Sequence, residues 1–233
     1  MAYDSQMKPT LLLVHGAWHN GAGFTELQKE LTALGISSQT IELPSVGNDG
    51  DALGDMYGDA NVVRDAVATI DGPCVVLGHS YGGLAITQGL ADADNVTQLI
   101  YLTAFMLDAG ETLYAACGSV DPDWWQVSVD GKYLTAGTPE KIFYNTCSPE
   151  IAASASAQLR KQSLPAFNQA ITEVAWKSKP STYIICEQDN AIPVFAQEAM
   201  SARATKIVRI NSDHSPFLSA PRELAELINS VLS

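Results

Sequence analysis

Six apolar runs bounded by turn residues recur along the chain, at residues 9–16, 37–43, 73–80, 98–105, 181–189 and 205–211. Several are nearly continuous in Val, Ile and Leu, as in strands buried on both faces of a parallel sheet. Between them the period changes. Phe24, Leu27, Leu31 and Leu34 fall at intervals of three and four and stop at Gly35, which predicts an amphipathic helix closed by glycine. Residues 59–72 repeat the device and end on Gly72-Pro73. Residues 220–232 place Pro221 early and space Leu224, Leu227, Ile228 and Val231 along one face. This alternation predicts an α/β fold with a doubly wound, mostly parallel sheet.

One interval breaks the rhythm. From Leu107 to Pro180 no parallel-strand signal recurs, yet the stretch holds Trp124, Trp125, Tyr133, Phe143, Tyr144, Phe167 and Trp176. A connection this long is rarely structureless. The pattern therefore predicts a core built from residues 1–106 and 180–233, with residues 107–179 inserted as a partly helical cap.

Composition narrows the classes. The 233 residues are 46% hydrophobic and 17% charged, which suits an ordinary globular protein. A net charge of −13 argues against binding nucleic acid or an anionic membrane surface. The N-terminal decapeptide MAYDSQMKPT has no basic-then-apolar signal, and no apolar run is long enough to span a membrane. A cytoplasmic location is the resulting expectation. Cys74 and Cys186 sit in apolar runs as candidate buried thiols, whereas Cys117 and Cys147 fall where a bridge is possible but not required. No metal site is expected, because no CxxC or His/Cys cluster occurs.

The chemistry concentrates at Gly78-His79-Ser80-Tyr81-Gly82-Gly83, a G-x-S-x-G turn between an apolar strand and a helix-forming run. Such a turn strains the serine backbone and lifts its hydroxyl clear of the sheet, while Gly78 and Gly82 remove clashing Cβ atoms. The helix start beside Ser80 adds free N–H groups. A serine needs a base. His214, in the loop after the last strand, can reach back across the sheet edge, whereas His15 reads better as a loop brace and His79 points elsewhere. Asp189, at the end of a strand, is the candidate acid, with Asp108 as runner-up and Asp213 as a loop cap. The order Ser80, Asp189, His214 is that of the α/β-hydrolases. The N–H groups of Tyr81 and Ala17 are the candidate oxyanion donors. Trp18, Trp124 and Trp125 are candidate substrate-binding residues, with cap packing as their alternative role. The glycines lack the G-x-x-x-x-G-K and G-x-G-x-x-G patterns that cradle phosphates, so no nucleotide cofactor is expected.

Together LLLVHGAWHNGAGF, LGHSYGG, EQDNAIP and SDHSPFLSAPRELAELI resemble the α/β-hydrolase superfamily, more narrowly its small esterases and hydroxynitrile lyases. The likeness covers the sheet framework and fades in the cap. It implies a triad of Ser80, Asp189 and His214, oxyanion donors at Ala17 and Tyr81, and by analogy a possible homodimer. The lyase branch places threonine after the first-strand histidine and lysine after the catalytic one, whereas this chain has Gly16 and Ser215. The expectation is a cofactor-free serine hydrolase of small-molecule carboxylic esters or lactones. A carbon–carbon lyase and a non-catalytic ligand-binding protein are the alternatives.

Overall fold

The computed structural model describes residues 8–232. All six anticipated strands form and pair in one parallel sheet: β1 (Thr10–Val14), β2 (Ser38–Thr40), β4 (Cys74–His79), β5 (Val96–Leu102), β9 (Ser181–Cys186) and β10 (Lys206–Ile210). The order is β10-β9-β5-β4-β1-β2. From β1 the chain steps outward to β2, then returns to the other side of β1 as β4. The switch point of the winding therefore lies between β1 and β4, and ligands of open α/β sheets bind beyond the strand ends at such a point.

Alternation along each strand feeds two cores. Leu12, Val14 and Val76 point to one face, which α2 (Met56–Ala68), α3 (Gly82–Gly89) and α8 (Val194–Ser201) cover. Leu11, Leu13, Val75 and Leu77 point to the other, under α1 (Thr25–Ala33), α9 (Pro216–Ser219) and α10 (Pro221–Leu232). The glycine after α1 has φ +72°, so it closes the helix as the pattern predicts. The second helix differs from expectation. It starts at Met56 with Asp55 accepting from Gly58 N–H, and it ends at Ala68, before Gly72. Asp59, which the pattern places at the helix start, is instead a fully buried residue of the first turn.

The 107–179 stretch holds α4 (Leu113–Ala116), α5 (Pro139–Ile142), α6 (Pro149–Ser156) and α7 (Pro165–Asn168). It also contains strands that the pattern does not reveal. β6 (Trp125–Val127), β7 (Tyr133–Ala136) and β8 (Lys161–Ser163) form an antiparallel sheet, joined by β3 (Val46–Gly47) from the preceding core segment. Such short strands carry too few residues to show a period. All four cysteines are free thiols, Cys117 and Cys147 included.

Candidate active site

Because the sheet is parallel, the carboxyl ends of β1, β4, β9 and β10 all open on one edge. The turn after β4 carries Ser80, whose φ of +54° lies in the left-handed region that non-glycine residues avoid. Three contacts hold it there. Ser80 N–H donates to Leu102 O at 3.2 Å, and Ser80 O accepts from Gly83 and Phe105 N–H, each at 3.1 Å. The glycines are required by close approach: a Cβ on Gly82 would lie 2.7 Å from His15 O, and one on Gly78 would lie 2.8 Å from Gly82 O. The turn is thus wedged between its own helix and the neighbouring strand, as the motif implies.

Asp189 follows β9 and His214 follows β10, and the two side chains meet. His214 Nδ1–H donates to Asp189 Oδ2 at 2.7 Å, with both side chains buried. That bond leaves Nε2 as the lone-pair nitrogen, the form a general base requires. Asp189 is held on every side. Its Oδ1 accepts from the N–H groups of Ala191 at 2.7 Å and Ile192 at 2.9 Å, while Oδ2 also accepts from Thr103 Oγ1–H and, at 3.4 Å, Gln197 Nε2. Thr103 and Gln197 escape sequence reasoning, because neither belongs to a motif; only Thr103's place at the end of β5 hints at its role.

Ser80 and His214 line the same cavity, about 30 Å³ in volume, together with Ala17, Trp18, Tyr81, Trp124, Trp125 and other apolar side chains. Among the described residues, no hydrogen bond joins Ser80 Oγ to His214 Nε2. The N–H groups of Ala17 and Tyr81 donate to no protein acceptor among the described residues, and both residues line the cavity. All three tryptophans wall this space, and they also pack on one another: Trp18 meets Trp124 edge-on at 5.3 Å between ring centroids. Packing and lining are the same surface here. Phe105, Cys117, Pro122, Trp124, Ala191 and Ile192 separate the cavity from an adjoining groove of about 740 Å³.

The remaining histidines are structural. His15 Nδ1–H donates to Gly16 O, and its Nε2 accepts from Leu43 N–H at 3.0 Å, which braces the first-strand loop as expected. His19 bridges Ala17 O and the hydroxyl of Tyr144. His79 turns away from the cavity and donates from Nε2 to His214 O at 2.8 Å, fixing the backbone of the proposed base. Burial holds all three as neutral imidazoles: His19 is pushed down to about 3, and His15 and His79 are lowered as well. Asp108 lies on the surface in an ion pair with Lys177, far from the role of an acid in the triad. Asp213 caps the loop instead, accepting from Ser215 N–H, Ser219 Oγ and Thr146 N–H.

Among the described residues, no cluster of His, Cys, Asp and Glu is arranged to hold a metal ion, and no helix is long and apolar enough to cross a membrane.

A family model described as "Alpha/beta hydrolase family" matches residues 11–227. The chain is similar to the alpha/beta hydrolase nvfD of Aspergillus novofumigatus, at 29% identity with 96% of both chains covered. It is 28% identical to a pyrethroid hydrolase of Sphingobium wenxiniae, over 94% of this chain and 85% of that one. The crystal structure of a pyrethroid hydrolase from Sphingobium faniae superposes with a TM-score of 0.83 at 26% identity, covering 96% of this chain and 97% of the other.

Proposed function

The chain belongs to the alpha/beta hydrolase family, and from that premise we propose that it cleaves carboxylic esters, lactones included, through an acyl-enzyme on Ser80. The observation that carries this reading is the buried Asp189–His214 hydrogen bond, set beside a strained serine and two unpaired amides at the switch point of the sheet.

In this mechanism Ser80 Oγ attacks the carbonyl carbon as its proton passes to His214 Nε2. Asp189 keeps the imidazole in the Nδ1–H form and stabilises the cation that results. The N–H groups of Ala17 and Tyr81 stabilise the tetrahedral oxyanion; losing one such donor typically costs about 3–4 kcal/mol of transition-state stabilisation. His214 then protonates the departing alkoxide. Water, deprotonated by the same imidazole, cleaves the acyl-enzyme and frees the carboxylate. The aromatic lining suits an apolar acyl or alcohol group in a small-molecule ester. Relatives described as pyrethroid hydrolase, carbendazim hydrolyzing esterase and methylesterase support ester chemistry.

Position 16 argues against lyase chemistry. A Cβ there would lie 2.8 Å from both His79 Nδ1 and Ser80 Cβ, so this backbone has no room for the threonine of the lyase branch.

An ester panel varying acyl and alcohol size tests the proposal. Wild type turns over part of the panel, and Ser80→Ala lowers kcat/KM by at least about 10³-fold. Full turnover by Ser80→Ala, or hydroxynitrile cleavage without ester turnover, would overturn the reading.

A further inference from the structure

Tyr81 does more than supply an amide beside the nucleophile. Its side chain is wholly buried, and its hydroxyl donates to Asp59 Oδ2 at 2.5 Å. Asp59 lies on α2 and is also wholly buried. Its other oxygen, Oδ1, accepts from Ser45 N–H at 2.9 Å. Ser45 in turn meets the cap: its carbonyl accepts from Ser163 N–H at 2.8 Å, and its Oγ accepts from Gln162 Nε2 at 3.2 Å. Gln162 and Ser163 belong to β8 and are buried too. A continuous buried polar path therefore runs from the cap sheet through Ser45 and Asp59 to the residue following Ser80.

A buried carboxyl–phenol pair is costly, because both groups leave water. Burial pushes Asp59 up to about 6 and raises Tyr81 well above its ordinary range. A Phe–Leu pair would fill the same space without that cost. What the polar pair adds is direction, since a hydrogen bond fixes the far end of the tyrosine ring while Ser80 and α3 fix the near end.

We propose that Asp59 is a positioning residue for the nucleophile turn: through Tyr81 Oη it fixes the placement of the Tyr81 N–H that faces the oxyanion, and through Ser45 it registers that placement against the cap. The inference rests on the serine-hydrolase reading. Its physical basis is the steep dependence of catalysis on geometry, in which a misplacement of about 1 Å costs about 100-fold.

Steady-state kinetics of Tyr81→Phe and Asp59→Asn, at a temperature well below each variant's Tm, test it. Tyr81→Phe removes one oxygen, keeps the ring and keeps the amide. Each variant is expected to lower kcat about tenfold with KM within about twofold, since a displaced donor forfeits part of the 10²–10³ that a deleted one loses. The double variant is expected to be no worse than the poorer single, because both remove one shared bond. Unchanged kcat with a lowered Tm would show a merely structural pair and overturn the proposal. Multiplicative losses in the double variant would overturn it as well. Where Asp59→Asn gives no soluble protein, the kcat of Tyr81→Phe decides alone. The wild-type and Ser80→Ala arms come first: if Ser80→Ala retains ester turnover, the hydrolase reading has failed, whereas loss there with normal kcat in Tyr81→Phe defeats only the positioning role.

Discussion

Ser80 keeps a left-handed backbone that costs on the order of 1–3 kcal/mol, and the three hydrogen bonds around it, with glycines at 78 and 82, hold it there. Asp189 shows the same over-determination by a different route, through five donors converging on one carboxylate. Replacing Asp189 with Asn leaves the contacts to Oδ1 possible but removes the acceptor that selects the His214 tautomer. The expected outcome is a fall in kcat of about 10³–10⁴-fold, with a Tm close to wild type. A fall of less than tenfold would mean that another group orients His214. That Ser80, Asp189 and His214 gather at one sheet edge was readable from the G-x-S-x-G turn and from the strand that each residue follows. Thr103 and Gln197 were not, since a hydrogen bond to a distant carboxylate leaves no trace in local sequence. Asp59 was hidden for a related reason: acidic residues in a first helical turn ordinarily face solvent.

At the level of elements, the parallel sheet was readable because strands buried on both faces are long apolar runs. The cap was readable only as an interruption. Its strands span three or four residues, and one of their partners is the two-residue β3 from another part of the chain. The start of α2 was misplaced because Asp55 caps a turn that contains Gly58, a residue of low helix propensity. Close packing of elements makes a sharp prediction at Gly82. Its added Cβ would meet the backbone oxygens of Val14 and His15 at 2.8 and 2.7 Å, and main-chain atoms of a central strand cannot easily yield. Gly82→Ala should cost about 2–4 kcal/mol in urea unfolding and lower activity together with stability. Gly23→Ala is the control, since its Cβ would meet nothing nearer than Phe217 at 3.6 Å; equal stability losses in the two variants would contradict the packing argument.

For the whole molecule, three buried neutral histidines set the response to acid. His15, His19 and His79 all have lowered values, so the unfolded chain takes up protons near pH 6.5 that the folded chain refuses. Stability is therefore lost as pH falls through that range. For His19, pushed down to about 3, going from pH 7.5 to 5 costs about 2 kcal/mol. Asp59 acts in the opposite sense: raised to about 6, it takes up its proton in the folded state first and offsets about 1 kcal/mol of that loss. Tm should drop between pH 7.5 and 5, and a flat profile would show that these imidazoles are hydrated or paired in solution. The molecule as a whole brings four strand ends, a cap and a polar path together around one hydroxyl. The most direct test of that claim is intact-mass and peptide-mass analysis after treatment with a fluorophosphonate. A single adduct is expected on the peptide containing Ser80, absent in Ser80→Ala and strongly slowed in His214→Ala. An unlabelled Ser80 in folded wild-type protein, or an adduct that forms at the same rate without His214, would contradict it.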